Sequence, residues 1–430
     1  MSTTRIPVGS KMARKVFGAA LFANTLRQAS LTNNMTGAAP KQSDAEAKLK
    51  GQTSPDMPFV RVTDLSKGQG DAVSVDLINQ TGGKPIMGDR MAEGKGERLD
   101  TSSMDIRIDL ATKVVDAGGK MTQQRTVHNL RGLAMANLQG YFRRYNDQAS
   151  IVHLAGERGS QLGTDWVIPK KEDPDFGEIL INPIKAPTFN RHFVANGNTV
   201  DQGGDKLNAI DSTDILKLEH IDALAAILDD AEFKLQPIKI ADDPAAHDEP
   251  LYLLLVTNRQ WNSILTATGP TAWRTFIQNA WNRKSHGSKH PLFTGEAGIW
   301  NNILMRKMDR AIRMPAGFQT KYCTAAGRAT AQEAVVSVNP ALGGGFAVDR
   351  AMLLGAQALA HVYGKNQTSE TYANWMERRY NFERNLEVAG EVMGGKAKLR
   401  FEVPDENGDK VPTDHGVMVL DTVVNLNLGG

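Results

Sequence analysis

Three sets of residues have types and spacing that could do chemistry, and each fails at a neighbouring position. Gly88, Gly94 and Lys95 resemble a phosphate loop, in which glycines free backbone N–H groups for phosphate and the lysine reaches the terminal phosphates. Here five residues separate the glycines, and Gly96 stands where a Ser or Thr must hold magnesium. His286 and His290 have the spacing of a zinc pair on one helix face, but Gly287 and Pro291 disfavour the helix and no HExxH glutamate accompanies them. Cys323 has no motif around it and reads as a small packing residue.

The remaining candidates are weaker. No GxSxG turn supplies a hydrolase nucleophile. Carboxylates gather at Asp229, Asp230 and Glu232, and at Asp242, Asp243, Asp248 and Glu249. A helix end and a loop explain them as solvated charge, with a divalent-cation site as the functional alternative. Asp405, Asn407 and Gly408 miss the spacing of a calcium loop and suit a hairpin turn instead. His128 and His153 fall in a helical stretch with no Cys or His at metal spacing. The sequence therefore offers no catalytic residue, no cofactor site and no metal site, and the chain is not expected to be an enzyme.

The elements that carry these residues are more telling than the residues. Val73, Val75 and Leu77 alternate with Ser74 and Asp76, and Met104, Ile106, Ile108 and Leu110 alternate with Asp105, Arg107 and Asp109. That is the period of strands with one buried face. Between them runs a charged, glycine-rich flap with Gly82, Gly83, Lys84, Gly88, Asp89, Arg90, Glu93, Gly94, Lys95, Gly96, Glu97 and Arg98. Loops this long are functional or disordered in most domains. A two-stranded flap cannot bury its own faces, so a partner surface outside the compact domain is expected.

Gly118-Gly119 ends the second strand, and Thr122 is placed to cap a helix. Val127, Leu130, Ala134, Leu138, Tyr141, Tyr145 and Val152 then recur at helical steps, a stripe expected to be buried. The helix should run roughly thirty residues, or about 45 Å at about 1.5 Å per residue, long enough to span a domain. Gly132 and Gly140 weaken it unless another element packs closely there. Further on, the pattern predicts a helix over Asp214 to Phe233, a buried strand at Leu251–Val256 and helices around Trp261 and from Ala272 to Trp281, with the three tryptophans facing a core. A strand near Ile303–Met308, an apolar segment at Ala351–Ala360, and a hairpin of Leu399–Val403 with Val417–Leu420 complete the pattern. Helices and strands mix without strict alternation, which indicates an α+β fold.

Composition sets the outer bounds. With 430 residues, 41% hydrophobic and 23% charged, the chain has the make-up of a soluble protein of two or three domains. One cysteine excludes an internal disulfide and fits synthesis in a reducing cytoplasm. No apolar run is long enough to cross a bilayer. A net charge of +2 gives no general basic surface for nucleic acid. The charge is uneven, however: Arg5, Lys11, Arg14, Lys15, Arg27 and Lys41 precede the first acidic residue, Asp44. Two readings stand for this start, a transit peptide and a basic arm lying on a neighbour or near a polyanion.

Four stretches resemble the major capsid proteins of tailed bacteriophages, in the family typified by the coat protein of coliphage N-four. They are EGKGERL (Glu93–Leu99), MTQQRTVHNLRGLAMANLQGYFRR (Met121–Arg144), HPLFTGEAGIWNNILM (His290–Met305) and LLGAQALAHVYG (Leu353–Gly364). Their order and spacing carry the likeness, and Lys95-Gly96 departs from it where the family more often has acidic residues.

The resemblance implies an HK97-like fold, with residues 1–58 as an N-terminal arm and 59–118 as the extended loop with its strands. Residues 119–250 would form a peripheral domain built on the spine helix, 251–366 an axial domain, and 367–430 a return to the peripheral domain. It implies that the flap residues named above contact another subunit and that Leu130, Leu138, Tyr141 and Tyr145 pack the spine helix. The implied function is self-assembly into the hexamers and pentamers of an icosahedral shell around double-stranded DNA. Portal, scaffolding and decoration proteins would be the other partners, there would be no membrane contact, and assembly would occur in the bacterial host cytoplasm. An encapsulin-like compartment shell protein and a soluble enzyme are the alternatives.

Overall fold

Two sheets and one long helix set the architecture. The computed structural model describes residues 31–37, 53–63, 70–79, 84–96, 100–120, 129–163, 165–240, 249–285, 292, 297–308, 310–364, 373–405 and 409–427. Mixed helices and strands give an α+β fold. Thr122, His128, His286, His290, Asn407 and Gly408 lie outside the described residues.

The long helix, Leu130–Ala155, has 26 residues and so spans about 39 Å at about 1.5 Å per residue. Asn129 caps its start by accepting the Gly132 N–H at 3.1 Å. Gly156 ends it with φ 67°, its N–H donating to the Val152 carbonyl. A side chain there would be strained and would sit 2.6 Å from the Lys185 carbonyl oxygen. The helix changes character along its length. Ala134, Leu138 and Phe142 form one buried face, whereas every residue from Gln148 to Ala155 is buried. Gly140 faces open space, so it marks no close approach of another element.

The first half of this helix packs on a five-stranded sheet, through Leu138 and Phe142 against Trp375, Val388 and Val392. The strand Asn385–Lys398 is the hub of that sheet. It pairs antiparallel with Asp109–Gly119, Ala373–Tyr380 and Leu359–Tyr363, and the last of these takes Phe59–Val62 as a parallel edge. The second half of the helix covers one face of an eight-stranded sheet. Helices Leu218–Asp230, Asn258–Ala267 and Pro270–Ser285 lie on its other face, through Leu224, Trp261 and Phe276. With both faces covered, Tyr252–Val256 is buried at every position, which is why that run is continuously apolar.

Several elements depart from the sequence pattern. The helix expected over Asp214 to Phe233 is shorter, Leu218–Asp230. Ala351–Ala360 is two strand pieces, Phe346–Leu354 and Leu359–Tyr363, which join different sheets. Arg400–Pro404 pairs with Lys410–Asp414 and not with Val417–Leu420. The strand Val417–Asn425 sits instead inside the eight-stranded sheet, between Phe346–Leu354 and His192–Asn196. The C-terminal segment is thus shared between the two sheets. Trp261 is buried, but Trp281 is 71% exposed, so the third tryptophan faces away from the core.

Part of the N-terminal segment packs on its own chain. Met35 is fully buried in the core beneath the long helix, and Thr32 hydrogen-bonds Asp147 of that helix through both its N–H and its hydroxyl. Met57 is buried as well, and the Pro58 carbonyl accepts from Ala358 and Leu359. These pieces are structural, whatever the basic residues before them contact.

Candidate assembly surfaces

The flap begins as predicted and then differs in one respect. Ala72–Ile78 and Thr101–Arg107 pair antiparallel, in register from Ala72↔Arg107 to Ile78↔Thr101. Their apolar face, with Val73, Val75, Leu77, Met104 and Ile106, does not wait for another molecule. It packs on Val60, Val362, Leu399 and Phe401 of its own chain. The pattern holds through Ile108, partly buried against the same cluster, and breaks at Leu110, which is placed on the same face by its spacing but is exposed in the next strand. Gly395 permits this base to close, since a Cβ there would meet the Arg107 carbonyl oxygen at 1.9 Å.

The tip is another matter. All residues from Lys84 to Gly96 are exposed, including Lys84, Asp89, Arg90, Glu93 and Lys95, and Met87 and Met91 are each 67% exposed. Gly88 and Gly94 have φ of 65° and 78°, conformations that favour glycine. Gly82, Gly83, Glu97 and Arg98 lie outside the described residues.

On the long helix, Leu138 is fully buried and Leu130 partly buried against the first sheet. Tyr141 and Tyr145 are only partly buried. They line a groove of about 340 Å³ with Asp109, Leu110, Asp175, Glu178 and Ile179. The Tyr145 hydroxyl donates to the Ile179 carbonyl at 2.9 Å, and burial, with the nearby Tyr141 and Asp109, pushes its pKa up to about 12. Tyr141 meets Phe142 edge to face, and the Lys113 ammonium lies 5.2 Å over the Tyr141 ring.

Sequence reasoning missed a set of charges buried on the core strands. Arg350, fully buried, makes two 2.7 Å bonds to the Asp421 carboxylate, which also contacts His192 Nε2 at 2.8 Å. Burial alone would raise the Asp421 carboxyl, but the Arg350 charge and the bonds from Arg350 and His192 hold it down at about 2. Asp414 is gripped by Lys398 at 2.7 Å and Arg400 at 2.8 Å. Asp349 accepts from Arg313 and from Thr257. Lys396, on the hub strand and buried against the long helix, donates to the Asn146 carbonyl and side-chain oxygen, and burial pulls its pKa down to about 7. A signal was present: Asp349-Arg350 and Asp421 interrupt runs that otherwise read as core strands.

The residues considered for chemistry stay apart. Among the described residues no group of three or more His, Cys, Asp or Glu side chains converges to hold a metal. Cys323 is buried, its thiol raised by burial and directed at the Ala186 and Ala331 carbonyls. Asp229 and Asp230 are exposed, and Glu232 pairs with Arg328. His153 is buried in the long helix, where burial lowers its pKa to about 4. No described helix is long and apolar enough to cross a membrane.

This fold recurs in solved structures. The capsid of Ralstonia phage GP4 matches with a TM-score of 0.68 and 22% identity, over 88% of this chain and 90% of that one. The Cyanophage Pam1 capsid matches with a TM-score of 0.57 and 16% identity, over 86% and 90%. The head of Helicobacter pylori bacteriophage KHP40 matches with a TM-score of 0.54 and 11% identity, over 87% and 88%. No curated protein matches by sequence. These likenesses establish the HK97-like capsid fold, and residues 5–426 match the family described as phage capsid protein. The chain therefore belongs to the phage capsid protein family, and it is a major capsid protein of the virion shell.

Proposed function

We propose that this subunit builds its icosahedral shell as hexamers and pentamers around packaged double-stranded DNA, with the flap lying on an adjacent subunit. The single observation that supports this reading is the flap tip. Every residue from Lys84 to Gly96 is exposed, and among the described residues nothing covers its methionines and charges. Exposed apolar groups of this kind mark interaction sites. The peripheral part would be the five-stranded sheet with the first half of the long helix. The axial part would be the eight-stranded sheet with the helices on its far face.

The role is structural. A near-zero net charge of +2 suits dense packing of identical subunits, because strong self-repulsion would oppose closure. Head-to-tail contacts that close by rotation give rings, and repeated rings give a shell. Portal, scaffolding and decoration proteins are the further partners in this reading, and assembly takes place in the bacterial host cytoplasm. Electron microscopy of purified full-length protein and of the particles it forms tests it. Icosahedral shells with resolved five- and six-fold clusters, filled with DNA when taken from virions, are expected. A monodisperse small oligomer, or a shell carrying enzyme cargo and no DNA, would overturn it.

A further inference from the structure

We infer that the helix Leu218–Asp230 of one copy sets its acidic stripe against the aromatic, basic face of the helix Pro270–Ser285 in the next copy, head to tail. The inference rests on the reading that the subunit forms rings, and it involves neither the flap nor the long helix. Both helices lie on the far face of the eight-stranded sheet and bury one side there, Ile221, Leu224 and Leu228 on the first and Phe276 on the second.

On the first helix Glu219, Asp222, Ala226 and Asp229 recur at steps of three and four, so they share one face. All are exposed, with Asp230 beside them, and the helix has no Lys or Arg. The flanking cations are occupied or lie beyond it. Lys217 donates to the Gly197 carbonyl and to Asn198, Arg328 pairs with Glu232, and the exposed Lys234 follows the helix end. Asp222 accepts only from neutral donors, Trp300 Nε1 at 2.9 Å and the Asn301 amide at 3.3 Å. Among the described residues none of the stripe carboxylates forms a salt bridge.

The second helix has the complementary make-up, with Arg274, Arg283 and Lys284 and no Asp or Glu. Trp273, Arg274, Ile277, Gln278, Trp281 and Asn282 line an open hollow of about 450 Å³, and Trp281 is 71% exposed. Lys307, 5.1 Å over the Trp261 ring, adds a further cation to the same aromatic cluster. Trp and Arg are the side chains that most often anchor an interface. Ala226 is small, so the Trp281 ring can settle between Asp222 and Asp229 while Arg274 meets a stripe carboxylate.

The partner is a second copy because both faces belong to one chain and neither is covered within it. Acid against acid, or base against base, repels, which disfavours each face pairing with itself. Only the two different faces attract, and a head-to-tail contact of that kind repeats from copy to copy and closes as a ring.

The test uses particles of full-length chain carrying Ala226→Cys and Gln278→Cys, both exposed, with Cys323 buried. A short bis-maleimide should give a ladder of linked chains on a denaturing gel, ending at the closed pentamer and hexamer. Neither single-cysteine variant should give a ladder. Products that stop at the dimer would show a face meeting itself and overturn the proposal. Shells that form but give no linked chains would overturn the helix pairing while leaving the ring reading in place; a parent chain that forms no rings or shells would overturn that reading itself. Arg274→Glu should lower particle yield on the order of tenfold, the effect of about 1.4 kcal/mol, and adding Asp229→Arg should restore it. Circular dichroism should match the parent in both variants, because both positions are exposed. An unchanged yield with Arg274→Glu, or no recovery in the double variant, would count against the pairing.

Discussion

At the scale of residues, the subunit depends on charges buried where water cannot reach them. Asp421 is the clearest case, because Arg350 and His192 close around it and hold its carboxyl at about 2, below the ordinary value of 3.8. A carboxyl held low contributes stability that is complete above its unfolded pKa and is lost as pH falls through its folded one. That loss belongs between about pH 4 and pH 2. His153 and His415 are lowered to about 4 from 6.5, chiefly by burial, so the folded subunit keeps them neutral while the unfolded chain protonates them. Their contribution is complete above about pH 6.5 and fades as pH falls to about 4. The urea midpoint of the unassembled chain should therefore fall in two stages on acidification. His153→Gln should shrink the upper stage, with His415 supplying part of the remainder, and leave the lower one; an unchanged upper stage would show that this histidine does not contribute. Removing one partner from the buried pair should be harsher: Asp421→Asn leaves Arg350 uncompensated, at a cost of roughly 3–5 kcal/mol read from urea unfolding. A loss below about 1 kcal/mol would mean that water relieves the charge.

At the scale of elements, the long helix separates positions that carry the fold from positions that do not. Leu138 is fully buried against the first sheet, so Leu138→Ala should cost roughly 2–5 kcal/mol. Leu133, 56% exposed on the same helix, should tolerate Ala within about 0.5 kcal/mol. Gly140 faces open space in mid-helix, and Gly140→Ala should stabilise the subunit by roughly 0.5–1 kcal/mol in thermal unfolding. A loss of stability there would reveal a contact that open space does not predict. The helix and the flap strands were legible because each keeps one period: three-and-four steps through Ala134, Leu138 and Tyr141, alternation through Val73, Val75 and Leu77. What alternation could not show was the surface that the flap strands meet. Local pattern marks a face as buried without naming its cover, and here the cover is Val60, Val362 and Phe401, distant in sequence. The pairing of Val417–Asn425 with Phe346–Leu354 was hidden for the same reason, since register between remote strands leaves no short-range trace. Leu110 and Trp281 misled in the opposite direction, being apolar side chains on exposed faces. Both are the kind of group that an assembly contact would cover.

At the scale of the whole molecule, folding and assembly draw on different residues, and the flap tip is where they part. Its base is locked to the subunit by the apolar face of the strands and by the close approach at Gly395, whereas the described tip is exposed throughout. Damage to the tip should leave the subunit intact and stop the shell. Gly94 is the sharpest place to apply it, with φ 78° and no atom within 4 Å of the point where a Cβ would stand. Proline fixes φ near about −65°, so Gly94→Pro forces the loop onto another course without creating a clash inside the subunit. The variant should match the parent in circular dichroism and in unfolding midpoint, to within about 0.5 kcal/mol, because no core contact changes. Shell yield by sedimentation and electron microscopy should drop on the order of tenfold or more, since a displaced tip forfeits even one contact of about 1.4 kcal/mol at every copy. A comparison with Gly140→Ala separates the two roles: that substitution should raise the unfolding midpoint and leave shell yield unchanged. If Gly94→Pro assembled as the parent does, the tip's course would be irrelevant to the shell, and its exposed methionines would need another explanation.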